Sequence, residues 1–443
     1  MTDSHRRSSG ITHRLLLITF AIATMATWGT AWADTDPAAL EARIAELEAQ
    51  LRELSMRVAE QSQRPEVPVE DLDVLKTIRK TAGDGFRVQD TAIKIGGYVD
   101  LDTHFTDLSD GSIAANSIAR DFYIPSSTPI GGEGTTASDL TSEATRLFFD
   151  AAHLGGNETI SAHIEMDFLG SFQGNQRVSS SFSPRLRLAF FDFSNWRFGQ
   201  DWSTFQNTSA IPESASFLTL SDGMVFERQP LARYSNGPWQ FAIENGDTTV
   251  LTTSGTFMES DTSLIPDLVA RYNVKGDFGN VSFAALVRQL RMDLNGEDSD
   301  DLAIGLSASG RIDLTPTDQL RFNLATGTGI GRYIGLNAIA GAAVNPADGD
   351  IEAIDSTGGL IAWRHLFRNG ARLTLGYSGL FADYDDIVTA AVTDSVQSFN
   401  VTVLWNTAPK VTLGVEAQYG QRELTNGDNG TITRFTFSTK YSF

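Results

Sequence analysis

The sequence predicts an all-β protein, a transmembrane antiparallel β-barrel of sixteen strands preceded by a short coiled-coil helix. Three observations carry this. From residue 93 to the C-terminus, segment after segment alternates apolar and polar side chains, the period-2 signature of strands whose two faces meet different surroundings. Short turns and long segments alternate between those strands, as they do when the two rims of a barrel face different compartments. The chain also opens on an export signal.

That signal occupies residues 1–33: a basic start with Arg6, Arg7 and Arg14, the apolar run from Leu15 to Ala26, and Ala31-Trp32-Ala33 at the expected cut. A membrane helix needs roughly 20 apolar residues, and no other long apolar run occurs. Cysteine is absent, which excludes disulfides, thiolate metal sites and a lipidated cysteine. Of 34 basic and 55 acidic residues the signal removes three arginines and Asp3, leaving 31 against 54, a net charge of −23. A chain this acidic offers no general basic surface to nucleic acid.

Residues 36–61 read as a periplasmic coiled-coil helix. Leu40, Ile44, Leu47, Leu51, Leu54 and Val58 follow a 4-3-4-3-4 spacing, an a/d seam that at ~1.5 Å per residue makes a rod of about 30 Å. So narrow a stripe favours self-association over packing on a globular core. The a and d residues leave dimer and trimer both open, because β-branched a positions lean to dimers while Leu51 weakens that preference. Residues 62–92, opening Ser62-Gln-Arg-Pro-Glu-Val-Pro-Val-Glu-Asp71, read as a linker.

The barrel is expected over 93–443. Its first strand covers about 93–106, with Ile93, Ile95, Val99 and Leu101 on one face and Lys94, Asp100, Asp102 and His104 on the other. The clearest covers 301–314, and others centre near 149, 163, 189, 200, 229, 243, 270, 286, 325, 361, 377, 401, 416 and 437. Turns at Gly155-Gly-Asn157, Ser194-Asn195, Asn236-Gly-Pro238, 275–280, Thr315-Pro-Thr-Asp318, Asn369-Gly370 and Thr407-Ala-Pro409 interleave with long segments near 107–143, 169–184, 206–223, 248–263, 333–355 and 385–393. An even count with both termini on the periplasmic rim fits that rhythm. The last strand alternates Phe435, Phe437, Tyr441 and Phe443 against Arg434, Thr436, Ser438 and Lys440. It resembles the closing strand of bacterial outer-membrane proteins, in which a terminal aromatic such as Tyr441 or Phe443 is an assembly signal.

Sixteen strands enclose an aqueous channel, whereas eight enclose a packed interior. The inward faces, rich in Ser, Thr, Asn, Gly and charge, agree. Parity turns Arg146, Arg185, Arg187, Arg197, Arg271, Arg288, Arg311, Arg321, Arg364 and Arg372 toward the lumen and Leu147, Leu186, Leu188, Phe198 and Phe322 toward lipid, with Arg228 and Arg233 on the next strand extending a basic wall. Asp100, Asp102, Asp150, Glu165, Asp167, Asp201 and Glu416 face inward too, so pairing across the lumen competes with a basic wall suited to carboxylates. The segment 207–222 is apolar for an exposed loop; a lumenal constriction and a subunit contact both remain open for it, and the loop 107–143 is equally placed to contribute.

Several of these motifs together resemble the DcaP-like outer-membrane porins. They are the signal, heptad helix and linker, the opening Ile93-Lys-Ile-Gly-Gly-Tyr-Val-Asp-Leu-Asp102, the central Ser183-Pro-Arg-Leu-Arg-Leu-Ala-Phe-Phe-Asp-Phe193 followed by Trp196-Arg-Phe-Gly-Gln-Asp-Trp-Ser-Thr-Phe205, and Tyr441-Ser-Phe443. The resemblance implies a homotrimer in the bacterial outer membrane, inserted by the barrel-assembly machinery, that takes up small organic anions such as dicarboxylates. Arg185 and Arg187 match the basic pair of the central stretch. The competing readings are a general diffusion porin without anion preference, an envelope-tethering barrel and a membrane enzyme. For the last, His104, His153, His163 and His365 lack a nucleophile motif, and no Gly-rich phosphate loop or metal-ligand spacing calls for a cofactor.

Overall fold

In a computed structural model the described residues are 85–443 apart from 89, 154–159, 171–178, 261–262, 295–296 and 385–386. The signal, the heptad seam and the linker up to residue 84 lie outside them. Sixteen antiparallel strands close into a barrel. They are Thr91–Leu108, a second strand in two segments (Thr136–Thr141 and Arg146–His153), Ile160–Asp167, Arg185–Phe193, Trp196–Trp202, Arg228–Asn236, Trp239–Glu244 and Asp267–Gly276. The other half runs Gly279–Leu294, Glu297–Asp313, Asp318–Thr328, Asp355–Leu366, Arg372–Asp383, Thr393–Ala408, Val411–Leu424 and Asn429–Ser442.

The two segments of the second strand pair along the same first strand, Thr91↔His153 at one end and Asp102↔Thr141 further up, interrupted at 142–145. Closure is by the first and last strands, in register from Tyr98↔Ser442 to Leu108↔Ile432. That pairing matters because an open edge in hydrocarbon leaves each backbone group several kcal/mol unsatisfied. A short strand, Phe86–Val88, folds back on the first (Phe86↔Ile93). Regular pairing thus begins inside the stretch read as linker, since backbone pairing at Thr91 and Ala92 leaves no mark in side-chain alternation.

Alternation along each strand sorts the side chains. Val99, Leu101 and Phe105 are about half exposed on the outside while Asp100, Asp102 and His104 between them are buried inside. Aromatic rings gather at the rim that holds the termini, in the pairs Trp196–Tyr234 at 5.0 Å, Trp239–Tyr272 at 4.7 Å and Tyr441–Phe443 at 6.4 Å, the girdle expected at a membrane interface. One residue departs from parity. Leu188 pairs with inward-facing Glu165 and is buried, because a β-bulge shifts the register between Glu165 and Met166. The expectation that Leu188 faces lipid is therefore corrected.

The interior also differs from a plainly polar lumen. Inward Val269, Leu286, Leu380 and Val396 pack with Phe205, Tyr333, Ile334 and Ile339 in a dry cluster. These partners come from the third loop (203–227) and the sixth loop (329–354), which turn inward. At the same rim, the fourth loop (245–266) and the sixth build a four-stranded sheet from Thr248–Leu251, Phe257–Ser260, Ala342–Val344 and Ile351–Ala353, whose middle pair is parallel.

Candidate channel interior

The wall from Arg146–His153 to Arg228–Asn236 carries the inward charges, because i and i+2 positions on adjacent strands stack into a ladder. Asp167 lies directly opposite Arg185. Its two oxygens accept from Arg185 Nε and Nη2, each at 2.9 Å, and one also accepts from Arg187 Nη1 at 3.0 Å. Arg187 Nε donates to Glu165 at 2.5 Å, and Arg146 stands 3.4 Å from the same carboxylate. Arg197 grips Asp192 with two nitrogens, at 2.7 and 2.9 Å, and reaches Asp201 at 2.8 Å, with Phe190 beneath it at 3.7 Å. Arg197 and Arg233 are cross-strand neighbours, and Asp201, 3.0 Å from Arg233, relieves the repulsion.

Arg228 is different. Its guanidinium lies over Trp202 at 5.2 Å and Phe226 at 6.0 Å, with no carboxylate or hydrogen-bond acceptor bound to it among the described residues. Its strand pairing places Arg228 opposite Trp202, on the parity of Phe198 and not of Arg197 and Arg233, which corrects the expectation that it extends the lumenal wall. The five inward guanidinium groups (Arg146, Arg185, Arg187, Arg197, Arg233) stand among five carboxylates (Asp150, Glu165, Asp167, Asp192, Asp201). Toward the terminal rim the ladder ends in His163, whose Nδ1 is 2.6 Å from Asp150.

Facing this wall, the third loop crosses the lumen, held to the far strands by the remaining basic groups. Asn207 Nδ2 donates to Asn280 at 2.8 Å; Arg271 reaches Gln206 O at 2.5 Å; Arg321 donates to Ile211 O; Glu213 accepts from Arg372 at 2.9 Å and lies 3.4 Å from Arg364. Buried Glu416 accepts from Ser216 Oγ at 2.6 Å and Ala215 N at 3.0 Å. Gly223 then passes so close to Gly359 and Gly379 that an added Cβ would collide with their backbones. Asp222 is buried completely, accepting from Tyr123 Oη at 2.7 Å and from Ser398 Oγ. Burial raises its pKa to about 6 despite those two donors.

Tyr123 belongs to the first loop (109–135), which folds inward as well: Arg434 donates to Ala119 O at 2.7 Å and Arg422 to Ser126 O at 2.9 Å. The two loops meet where the Phe122 and Phe217 rings pack at 4.8 Å, tilted by 53°, with Arg187 5.2 Å from the Phe217 ring. Both loops left open by the sequence thus narrow the lumen. Five arginines expected along the pore are placed otherwise: Arg321, Arg364 and Arg372 tie down the third loop. Arg288 is 2% exposed, 3.3 Å from Asp267 under the fourth and sixth loops, and Arg271 is taken up by the third loop. Phe122, Tyr123 and Asp222 escaped the sequence reading; the apolar character of 207–222 was the signal available for the loop that carries Asp222.

The sequence profile of the DcaP outer membrane protein family matches residues 26–443. The chain belongs to that family. Its barrel superposes on the outer membrane channel DcaP of Acinetobacter baumannii with a TM-score of 0.67 at 23% identity, covering 81% of this chain and 100% of that one. An anion-selective porin from Comamonas acidovorans matches with a TM-score of 0.51 at 14% identity, over 80% and 100% of the two chains. A search of curated proteins gave no significant match. As a DcaP family member the protein is a β-barrel channel of the bacterial outer membrane and not an enzyme.

Proposed function

We propose that this DcaP family channel passes small organic anions, dicarboxylates among them, along the wall of Arg146, Arg185, Arg187, Arg197 and Arg233. The observation that carries this reading is the ladder of guanidinium groups on that wall, of which Arg185 and Arg197 each keep 30% of the side chain exposed to the lumen. Net charge argues the other way. Acids in loops and linker, however, are screened over a Debye length of about 8 Å, whereas Arg185 and Arg197 are open to a solute at contact, with Arg187 and Arg233 buried behind them. The Comamonas porin of similar fold is described as anion-selective. Reversal potentials of the wild-type channel in a KCl gradient test the reading: an anion-directed potential is expected, and a cation-directed one leaves a general diffusion porin.

The channel assembles, on this reading, as a homotrimer joined by the coiled coil of residues 36–61. The neighbouring strands Ile160–Asp167, Arg185–Phe193, Trp196–Trp202, Arg228–Asn236 and Trp239–Glu244 have only 8, 9, 7, 9 and 6 residues. A tilted strand needs about 9–11 to span a bilayer; three of the five fall short and two only reach it, so this low, aromatic wall suits packing against a second copy better than lipid. Deleting 36–62 is expected to leave a folded barrel with weakened association; light scattering of the full-length protein in mild detergent as a monomer would refute the coil's role. Deleting Phe443, whose N–H donates to Gly97 O at 3.0 Å, is expected to lower outer-membrane levels, and unchanged levels would remove its part in assembly.

A further inference from the structure

Three inward side chains meet where the barrel closes, one from each of three neighbouring strands. Tyr98 on the first strand stands directly opposite Arg146 on the second, and Lys440 comes from the last, opposite Asp100. The Arg146 guanidinium lies 5.3 Å and the Lys440 ammonium 4.7 Å from the centre of the Tyr98 ring, so two cations share one phenol. Phe217, on the third loop where it narrows the lumen, bounds the same space at 5.7 Å from Arg146.

These cations are less engaged than those of the ladder. Arg146 makes no hydrogen bond among the described residues; its ion-pair partner is Glu165 at 3.4 Å, a carboxylate that Arg187 holds more closely at 2.5 Å. Lys440 has Asp100 at 3.1 Å, but that carboxylate lies behind it, with 1% of its side chain exposed against 27% for Lys440. Glu165 likewise lies deeper than Arg146. A solute in the lumen therefore meets the positive ends first. The Tyr98 hydroxyl engages no described residue and adds a neutral donor beside them.

We propose that Arg146, Tyr98 and Lys440 form a two-point site at the barrel seam for a short dicarboxylate, Arg146 taking one carboxylate and Lys440 with the Tyr98 hydroxyl the other. The inference deepens the anion reading and rests on it. A guanidinium fork matches one carboxylate bidentately, whereas an ammonium is a compact point charge that leaves room on the same carboxylate for a second donor. A monocarboxylate fills the arginine half alone and leaves the other half to water. The site exists only in the closed barrel, because its members come from both sides of the seam.

Block of single-channel current by succinate and by propionate tests this. Succinate is expected to half-block wild type at a concentration about tenfold or more below that of propionate. Arg146→Gln is expected to weaken block by both acids. Tyr98→Phe keeps every charge, so the general attraction of the pore for a dianion stays the same; it is nevertheless expected to raise the succinate value about tenfold, the worth of one hydrogen bond to a charged group, and to leave propionate unchanged. Lys440→Gln is expected to act in the same direction, and Tyr98→Phe decides where Lys440→Gln, which strips buried Asp100 of its ammonium, lowers insertion. Equal half-block by the two acids in wild type, or a succinate preference untouched in Tyr98→Phe, overturns the proposal. The wild-type reversal potential fails separately: a cation-directed potential, with a succinate preference that Tyr98→Phe removes, would sink the anion-uptake reading and leave this site standing.

Discussion

Replacing Arg185 and Arg187 together by serine is expected to shift ion preference strongly toward cations. Among the described residues the two arginines are the ion-pair partners of Asp167, which is fully buried, and Arg187 supplies the closest partner of Glu165. Without them the wall keeps its carboxylates and loses their compensation, so the local field turns more negative. Stability falls too. Removing one partner of a buried pair costs about 3–5 kcal/mol, a figure that applies to Arg187 at 3% side-chain exposure and is to be discounted for Arg185 at 30%. Reversal potentials in a KCl gradient should therefore move toward the cation limit in the double variant. Adding Asp167→Asn should move them back. A double variant indistinguishable from wild type would mean that the ladder does not govern selectivity.

The second large effect is expected from the third loop. Excising 207–222 and bridging the ends with a short Gly-Ser link should raise single-channel conductance severalfold, because that segment crosses the lumen from Asn280 to Glu416. The barrel should survive, since its closure runs through the first and last strands and not through the loop. Thermal stability should nevertheless drop: Leu218 and Leu220, both buried, contribute about 1.5–3 kcal/mol each. Asp222→Ala is the milder form, leaving Tyr123 and Ser398 without their acceptor at about 1–3 kcal/mol. An unchanged conductance after excision would place the narrowest point elsewhere.

How much of this was written in the chain depends on the range of the physics. Sixteen strands were legible because side-chain parity is a property of neighbours in sequence, and turns such as Ser194-Asn195 or Asn369-Gly370 mark their own ends. Leu188 was misread because a bulge depends on the partner strand's register. Whether Arg185 is free or bound to Asp167 is likewise decided by which strands lie side by side, and parity alone turned both inward without pairing them. Arg288 faces inward as its parity says, yet the fourth and sixth loops close over it, which no local pattern encodes. For 207–222 the composition was informative and the destination was not: apolar residues must be covered, but the cover came from strands up to two hundred residues away, such as Glu416 against Ser216.

The inward fold of the sixth loop bears on where this chain tolerates added length. Ile330, Tyr333, Ile334 and Ile339 are all essentially inaccessible, and Gly331 is pressed against the backbone of Ile339 and Ala340, so an epitope or sensor peptide inserted there would be an insertion into a core. The hairpin tip at Ala347–Gly349 is exposed, and Gly349 has open space where a side chain would go. Insertion tolerance follows burial rather than loop length; within this long outer loop it contracts to a few residues, and the rest evolves under the constraints of a protein interior.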